Sequence, residues 1–379
     1  MLTIESTYHR PQGRPRRALL VASVIAGLVC AGAAPVSTLA RRGPVRSNAS
    51  AAASQTLVIE GAGEGHGVGM SQDGALGYAT HGWTYQAILA HYYTGTTLGA
   101  VPRGASVRVL VGSKVEKLPL EQYVRGVVSA EVPSSWPMAA LEAQAVASRT
   151  YAITAHAGGS RFDVYADTRS QVYRGVAAET SRTNAAVAAT SGQVVLYLGR
   201  PAITYFFASS GGQTENVEVA FPGSEPQPWL RGVADPFEQG SRRWKIGMSF
   251  ASAGARLGGL VKGRLRGIEV TKRGVSPRIV SALVLGSAGM TPVSGAMLAG
   301  RLGLSDTWAY FSMKDARGVR PEPDRSGQAR PVPVASPSGV VAATPPAEAA
   351  TATPTASPQG GAEAPGRVEP TRAGGISAG

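Results

Sequence analysis

Across residues 118–151 apolar positions recur with a helical period. Leu120, Val124, Val127 and Val128 fall at three- and four-residue steps, and Glu131 falls on the same face. Pro133 and Pro137 cannot continue that helix, so it is predicted to end near Glu131, where unsatisfied carbonyls leave a partial negative charge. Partial burial and that charge both oppose ionisation. Glu131 is therefore expected to titrate above the ordinary glutamate value of about 4.3, as a general acid working near neutral pH requires. Periodicity alone leaves its role open, because a glutamate at a helix end is usually a solvated surface residue. A second helix is predicted from Pro137, with Leu141, Ala145, Ser148 and Ala152 on one face. Gln144, Arg149 and Tyr151 are its polar candidates for substrate contact.

The flanking pattern is mixed. Residues 56–60 read as a short strand that leads into the glycine-rich run Gly61-Ala-Gly-Glu-Gly-His66-Gly-Val-Gly-Met-Ser-Gln72. Its spacing fits neither phosphate-binding fingerprint, since no Gly-Lys-Ser/Thr ending follows and no register gives Gly-x-Gly-x-x-Gly. A helix capped by Thr84 should carry Tyr85, Ile88, Leu89 and Tyr92 on its buried face. Strands are expected over 106–118, a helix from about Thr180 to Gly192, and two strands, 193–198 and 202–207, around a turn at Gly199. These strands deliver Ser209-Ser210-Gly211-Gly212-Gln213-Thr214-Glu215, rich in hydroxyls, an amide and accessible N–H groups that suit a sugar, although turn chemistry also explains them. A further helix is expected with Ser294 as its cap. Helices and strands alternate irregularly, with hairpins in place of βαβ units. The expected class is α+β, with mixed helices and antiparallel hairpins forming one body or two lobes around a cleft.

Composition changes the picture at the two ends. Of the formal charge of +13 on 379 residues, much comes from a basic start with Arg10, Arg14, Arg16 and Arg17, followed by an apolar run over 18–34. That is the layout of an export signal or of an uncleaved N-terminal anchor. Cys30, inside that run, is the only cysteine, so the remaining chain has no disulfide and no thiolate ligand. No metal and no cofactor are expected. The basic balance suits a wall polymer; an export signal and the lack of a basic-aromatic motif argue against nucleic acid. Within residues 48–315 no serine-hydrolase elbow, Gly-x-Ser-x-Gly, is present. From about Gly318 small residues and proline dominate, which predicts a disordered tail. The expected organisation is a leader and linker over 1–47, the glycine-rich segment and its helix over 48–100, a catalytic domain over 101–315 and the tail over 316–379.

Three runs carry a resemblance. Tyr123-Val-Arg-Gly-Val-Val-Ser-Ala-Glu131-Val-Pro133, Ser135-Trp-Pro137 and Ala143-Gln-Ala-Val-Ala-Ser-Arg-Thr-Tyr151 together resemble the signature of the SpoIID/LytB family of bacterial cell-wall proteins. The glycine-rich run and the Ser209–Glu215 loop are similar to further family motifs, as is the segment 163–173 with Gln171. The resemblance implies that Glu131 is the acid and base of a peptidoglycan lytic transglycosylase. Such an enzyme cleaves between N-acetylmuramic acid and N-acetylglucosamine and leaves a 1,6-anhydro end, so it needs one carboxylate where ordinary glycosidases need two. Glu215 is the expected second carboxylate if hydrolysis occurs. Gln144, Arg149, Tyr151, Gln171, Ser209, Ser210, Gly211, Gly212 and Glu215 are the implied substrate contacts, with His66 as a sugar contact or second proton carrier. In the family the glycine-rich motif commonly follows the catalytic region. Here it precedes, which predicts that the His66 loop folds back beside Glu131. The chain departs from the family at Val132, at Ala139, and at Ala166 and Ser170, where many members have cysteines. The alternative function is a non-catalytic wall-binding protein that enhances an N-acetylmuramoyl-L-alanine amidase. The expected partners are peptidoglycan strands and such an amidase, with membrane contact only through the N-terminal segment.

Overall fold

The computed structural model describes residues 55–238, 242–315 and 317–328. The expected leader, its linker and the tail from 329 onward lie outside the described residues. Eight α-helices appear among the described residues: Gln72–Thr80 (α1), Tyr85–Tyr92 (α2), Leu120–Glu131 (α3), Met138–Thr154 (α4), Ser181–Ala189 (α5), the single turn Val217–Ala220 (α6), Phe250–Leu257 (α7) and Gly295–Leu302 (α8). Together with several antiparallel sheets they make an α+β fold. No helix among the described residues is long and apolar enough to cross a membrane.

At the centre lies α4, which is buried almost all the way round, as expected of a helix whose every face meets another element. Its alanines let α1, α2, α3 and α5 approach closely, and its buried polar groups are engaged. The Thr150 hydroxyl donates to the Val146 carbonyl and accepts the Val195 N–H, while the Ala147 carbonyl accepts the hydroxyl of Thr204. One side of α4 faces a core that includes Val68, Met70, Ile88, Leu89 and Tyr92; the other faces Tyr123, Val124, Val127 and Val128 of α3. The glycine-rich segment and the region beyond residue 101 therefore share a core. As expected from sequence, Thr84 caps α2 and Ser294 caps α8 through their side chains, and Ser71 caps α1 in the same way.

Strands fall into small sheets. The largest runs in the order Arg243–Ser249, Thr56–Ala62, Ala309–Asp315 and Gly318–Pro321, so the first described strand sits between strands from the far end of the chain. Its inner face meets α7, α8 and a meander of Leu265–Arg273, Ile279–Gly286 and Gly289–Ser294 in a separate core built on Leu57, Ile59, Ile268 and Leu298. Two expectations change. The strand anticipated over 202–207 is divided: Arg200–Pro201 closes the hairpin on Gln193–Tyr197, and Phe206–Phe207 pairs in parallel with Met70–Ser71. The tail does not become irregular at 316 either, because Gly318–Pro321 pairs with Ala309–Asp315 and Asp324 is held by Arg273 at 2.8 Å.

A buried guanidinium joins these parts. Arg278 is 1 % exposed and donates to Asp306 Oδ2 at 2.7 Å, to the Gln213 carbonyl at 2.8 Å and to the Ser210 carbonyl at 3.0 Å. It also explains one glycine of the motif. Gly67 has φ +85°, and a β-carbon there would lie 2.5 Å from Arg278 Nε, so both the backbone conformation and the space demand glycine. Replacing Arg278 by Met should cost about 3–5 kcal/mol, because it leaves the Asp306 carboxyl buried without its cation. Urea unfolding of the two proteins measures that difference; a cost below about 1 kcal/mol would show that the pair is not what joins the parts.

Candidate functional site

The end of α3, the start of α1, Tyr151 of α4 and the loops around 168–172 and 205–208 surround a groove of about 550 Å³. Glu131 lies in it. Its Oε1 accepts the Val172 N–H at 2.5 Å and its Oε2 accepts the Gln72 amide at 3.3 Å. The helix stops there because Val132 turns to an extended conformation and Pro133 follows. Burial raises the pKa of Glu131, while the N–H of Val172 and the amide of Gln72 pull it the other way. The direction is the one expected from sequence; the dominant cause is desolvation, not the end of the helix.

Gln72 belongs to the glycine-rich motif, so the predicted return of that segment to Glu131 is present as a direct contact. Beneath it, Gln144 accepts from Gln72 at 3.4 Å and donates to Ser148 Oγ at 3.0 Å, which fixes the orientation of both amides. The motif's strict glycine pattern serves the same approach. Gly69, at φ +75°, would place a β-carbon 2.1 Å from the Tyr205 carbonyl, so no other residue lets this segment lie against the groove wall.

The walls are aromatic: Tyr151, Tyr205, Phe206, Phe207 and Phe221 line the groove. His66 sits among them, with ring centroids 5.9 Å from Tyr205, 5.3 Å from Phe207 and 5.1 Å from Phe221. Its Nδ1 accepts the Val68 N–H, its ring donates to the Phe206 carbonyl, and burial and the charge of Arg278 push its pKa down to about 4. Both ring nitrogens are thus engaged by backbone and the imidazole is neutral at neutral pH. This geometry suits a wall contact and not a proton carrier. At the mouth, Arg169 lies over the Tyr165 ring at 3.9 Å and pairs with Asp167 at 2.6 Å.

Several residues anticipated as substrate contacts are turned inward. Arg149 is fully enclosed and holds Glu121 at 2.7 Å and the carbonyls of Gln193 and Val187. Gln144 and Gln171 are buried, the latter donating to the Ser148 carbonyl. Ser209 and Ser210 are buried against Glu238 and Asp235. Gly211 and Gly212 form their turn, and Gly212 donates to Ser210 Oγ. Glu215 is 0 % exposed and accepts from the N–H groups of Val275 and Ser276 and from the Ser276 hydroxyl at 2.7 Å. None of these side chains lines the groove, and the serine loop enters the groove wall only through Ala208. Of the anticipated residues, the groove takes Glu131, Tyr151 and His66. The other carboxylate lining it is Glu64, which pairs with Arg242. Sequence reasoning passed over Glu64, Gln72 and, Tyr151 apart, the aromatic walls; the signal available for Gln72 was a lone amide at the first turn of a helix next to a glycine motif. No three His, Cys, Asp or Glu side chains among the described residues are grouped to hold a metal ion.

Comparison with known proteins places residues 112–197 in a match to the family model described as Stage II sporulation protein, SpoIID. The stage II sporulation protein D of Bacillus subtilis (strain 168) is 33 % identical over 174 residues, covering 41 % of this chain and 50 % of that protein. The protein of the same name from Bacillus amyloliquefaciens is 28 % identical over 209 residues, 50 % of this chain and 60 % of that protein. An amidase enhancer of Bacillus subtilis (strain 168) is 40 % identical over 103 residues, 27 % of this chain and 14 % of that protein. The chain thus spans about half the length of the sporulation proteins it matches.

Replacing Gln72 by Leu should raise the pKa of Glu131 beyond its already raised value, since the amide is one of the two donors that favour the anion. Carbon-detected NMR titration of the Glu131 carboxyl measures it, and an unchanged or lower midpoint would contradict the assigned contact.

Proposed function

We propose that this chain, whose residues 112–197 belong to the SpoIID family, is an exported lytic transglycosylase of peptidoglycan with Glu131 as its single acid and base. The observation that carries the reading is Glu131 itself: a carboxyl kept protonated to higher pH by burial, facing a groove with aromatic walls. Aromatic rings stack on the apolar faces of sugar rings.

In this reading the protonated Glu131 gives its proton to the glycosidic oxygen between N-acetylmuramic acid and N-acetylglucosamine as that bond breaks. The carboxylate so formed then takes the proton of the muramic C6 hydroxyl as its oxygen closes on C1. The proton returns to Glu131 and no water is consumed. Gln72 and the Val172 N–H stabilise the carboxylate between the two steps and hold it still. Tyr151, Tyr205 and Phe221 would bound the sugar, and His66 would support that wall as a neutral ring.

A second reading follows from the 40 % identity to an amidase enhancer. Here the same groove binds glycan without cleaving it and presents the wall to an amidase, and Glu131 is only a polar contact.

The two readings separate on products. The purified protein and its Glu131→Gln variant are incubated with peptide-free glycan strands and with intact sacculi, and products are read by mass spectrometry. The expected result is anhydro-muramic ends from the wild type, reduced by at least about 10²-fold in the variant. Ordinary reducing ends would instead mean hydrolysis, with Glu64 as the carboxylate to replace next. Equal binding by both proteins, no cleavage, and stimulation of an added amidase would favour the enhancer.

A further inference from the structure

Outside the groove, the most unusual chemistry among the described residues is a pair of buried carboxyls with no cation bonded to them. Asp235 is 1 % exposed. Its Oδ2 lies 2.8 Å from Ser210 Oγ, and Glu238 Oε2 lies 3.1 Å from the same oxygen. Glu238 Oε1 meanwhile accepts the Ser209 hydroxyl at 2.5 Å and the Ser210 N–H at 2.6 Å. The Ser210 hydroxyl carries one hydrogen, and its oxygen already accepts the Gly212 N–H at 3.0 Å. One hydrogen cannot bridge to two carboxylates. A second is required between these oxygens, and among the described residues the carboxyls supply it; the Ser71 and Tyr92 hydroxyls also bond to Asp235 and favour its charged form.

The surroundings point the same way. Facing Asp235 are Glu238 from its own segment, Tyr78 of α1 and Tyr92 of α2, none of them positive. A β-carbon on Gly74 would lie 2.0 Å from the Tyr92 hydroxyl and 2.2 Å from Asp235 Oδ2, so these groups meet at the start of α1. His91, also on α2, is held by the Ala234 carbonyl, and burial lowers its pKa, so it brings no charge. Facing Glu238 is Asp73; the nearby Arg242 is engaged with Asp73 at 2.9 Å and with Glu64. A buried carboxylate with no cation is strongly disfavoured, and such groups take up a proton instead.

We infer that Asp235 and Glu238 share one proton across the Ser210 hydroxyl, and that this proton clamps the segment Ala208–Gly212 against the start of α1. When the proton leaves to solvent, two carboxylates face one hydroxyl and the clamp opens. The segment matters because Ala208 and Phe207 line the groove, and because the Ala208 carbonyl accepts the N–H of Asp73, next to Gln72. The clamp is thus a positioning device for the groove and stands whether or not the groove cleaves glycan. Burial and the Glu238 charge raise Asp235 to about 7, so the proton leaves across neutral pH.

The sign of the stability effect follows. The folded pKa of Asp235 lies above its unfolded value of 3.8, so the folded state holds the extra proton between them. The contribution is complete below the unfolded pKa and is lost as pH rises through the folded one. Asp235's own contribution to the unfolding constant of the full chain should rise about tenfold per pH unit from pH ~5 and level off above about 7. Asp235→Asn places an amide hydrogen where the acid proton was, so the clamp persists without titrating. Its unfolding constant should lose Asp235's share of the slope, and the infrared carboxylic-acid C=O intensity that the wild type keeps to neutral pH should fall by the one acid at Asp235. Glu131 titrates in both proteins and cancels in the comparison. If Asp235→Asn does not fold, Glu238→Gln serves: without its charged neighbour, Asp235 should lose its proton at lower pH, shifting band and slope together. A pH slope and a C=O band unchanged in the variant that folds would overturn the inference.

Discussion

A guanidinium in the interior must be matched by buried acceptors, and the fold brings them to the two terminal nitrogens of Arg278. Its carboxylate comes from Asp306, after α8; its carbonyls come from the Ser210 and Gln213 turn; its face lies along Gly67. Three distant stretches of chain are thereby fixed to one planar cation. Phe207 and Trp308 lie 5.7 and 5.8 Å from it, which keeps water away and strengthens each bond. Removing any one partner would leave a buried group unsatisfied, so the arrangement is cooperative.

The groove depends on that fixed frame. Glu131 is held from three sides: by the end of its own helix, by the Val172 N–H, and by an amide pair running from Ser148 through Gln144 to Gln72. The last of these begins deep in α4, so the orientation of the carboxyl is set by core packing and not by surface side chains. Burial gives the carboxyl its raised pKa, and the donors moderate it. His66, by contrast, is neutral and tied to backbone on both sides.

What was legible from sequence were features whose cause is local. The Thr84 cap, the apolar faces of α2 and α3, and the stop at Val132-Pro133 depend on residues within a turn or two, and the structure has them where the pattern put them. The glycine motif was legible as a demand for close approach, though not what approached. Ser209, Ser210 and Glu215 read as exposed polar groups because their partners, Asp235, Glu238 and Ser276, lie tens of residues downstream. Arg149 was misread for the same reason: its carboxylate partner, Glu121, is on another helix. The strand expected over 202–207 was divided because Phe206–Phe207 finds a better neighbour in Met70–Ser71 than in the preceding hairpin.

The order of strands in the largest sheet has a temporal meaning. Thr56–Ala62 is flanked by Arg243–Ser249 and Ala309–Asp315, so its hydrogen bonds wait for chain that is synthesised some two hundred residues later. Contacts of such separation form late, after the entropy of closing the intervening loop has been met. The glycine-rich segment that follows this strand delivers Gln72 to Glu131, and Arg278 must arrive before that segment can settle. A nascent chain therefore holds α3 and α4 but no finished groove. Whatever the groove does to its ligand is withheld until nearly the whole described chain is made and folded.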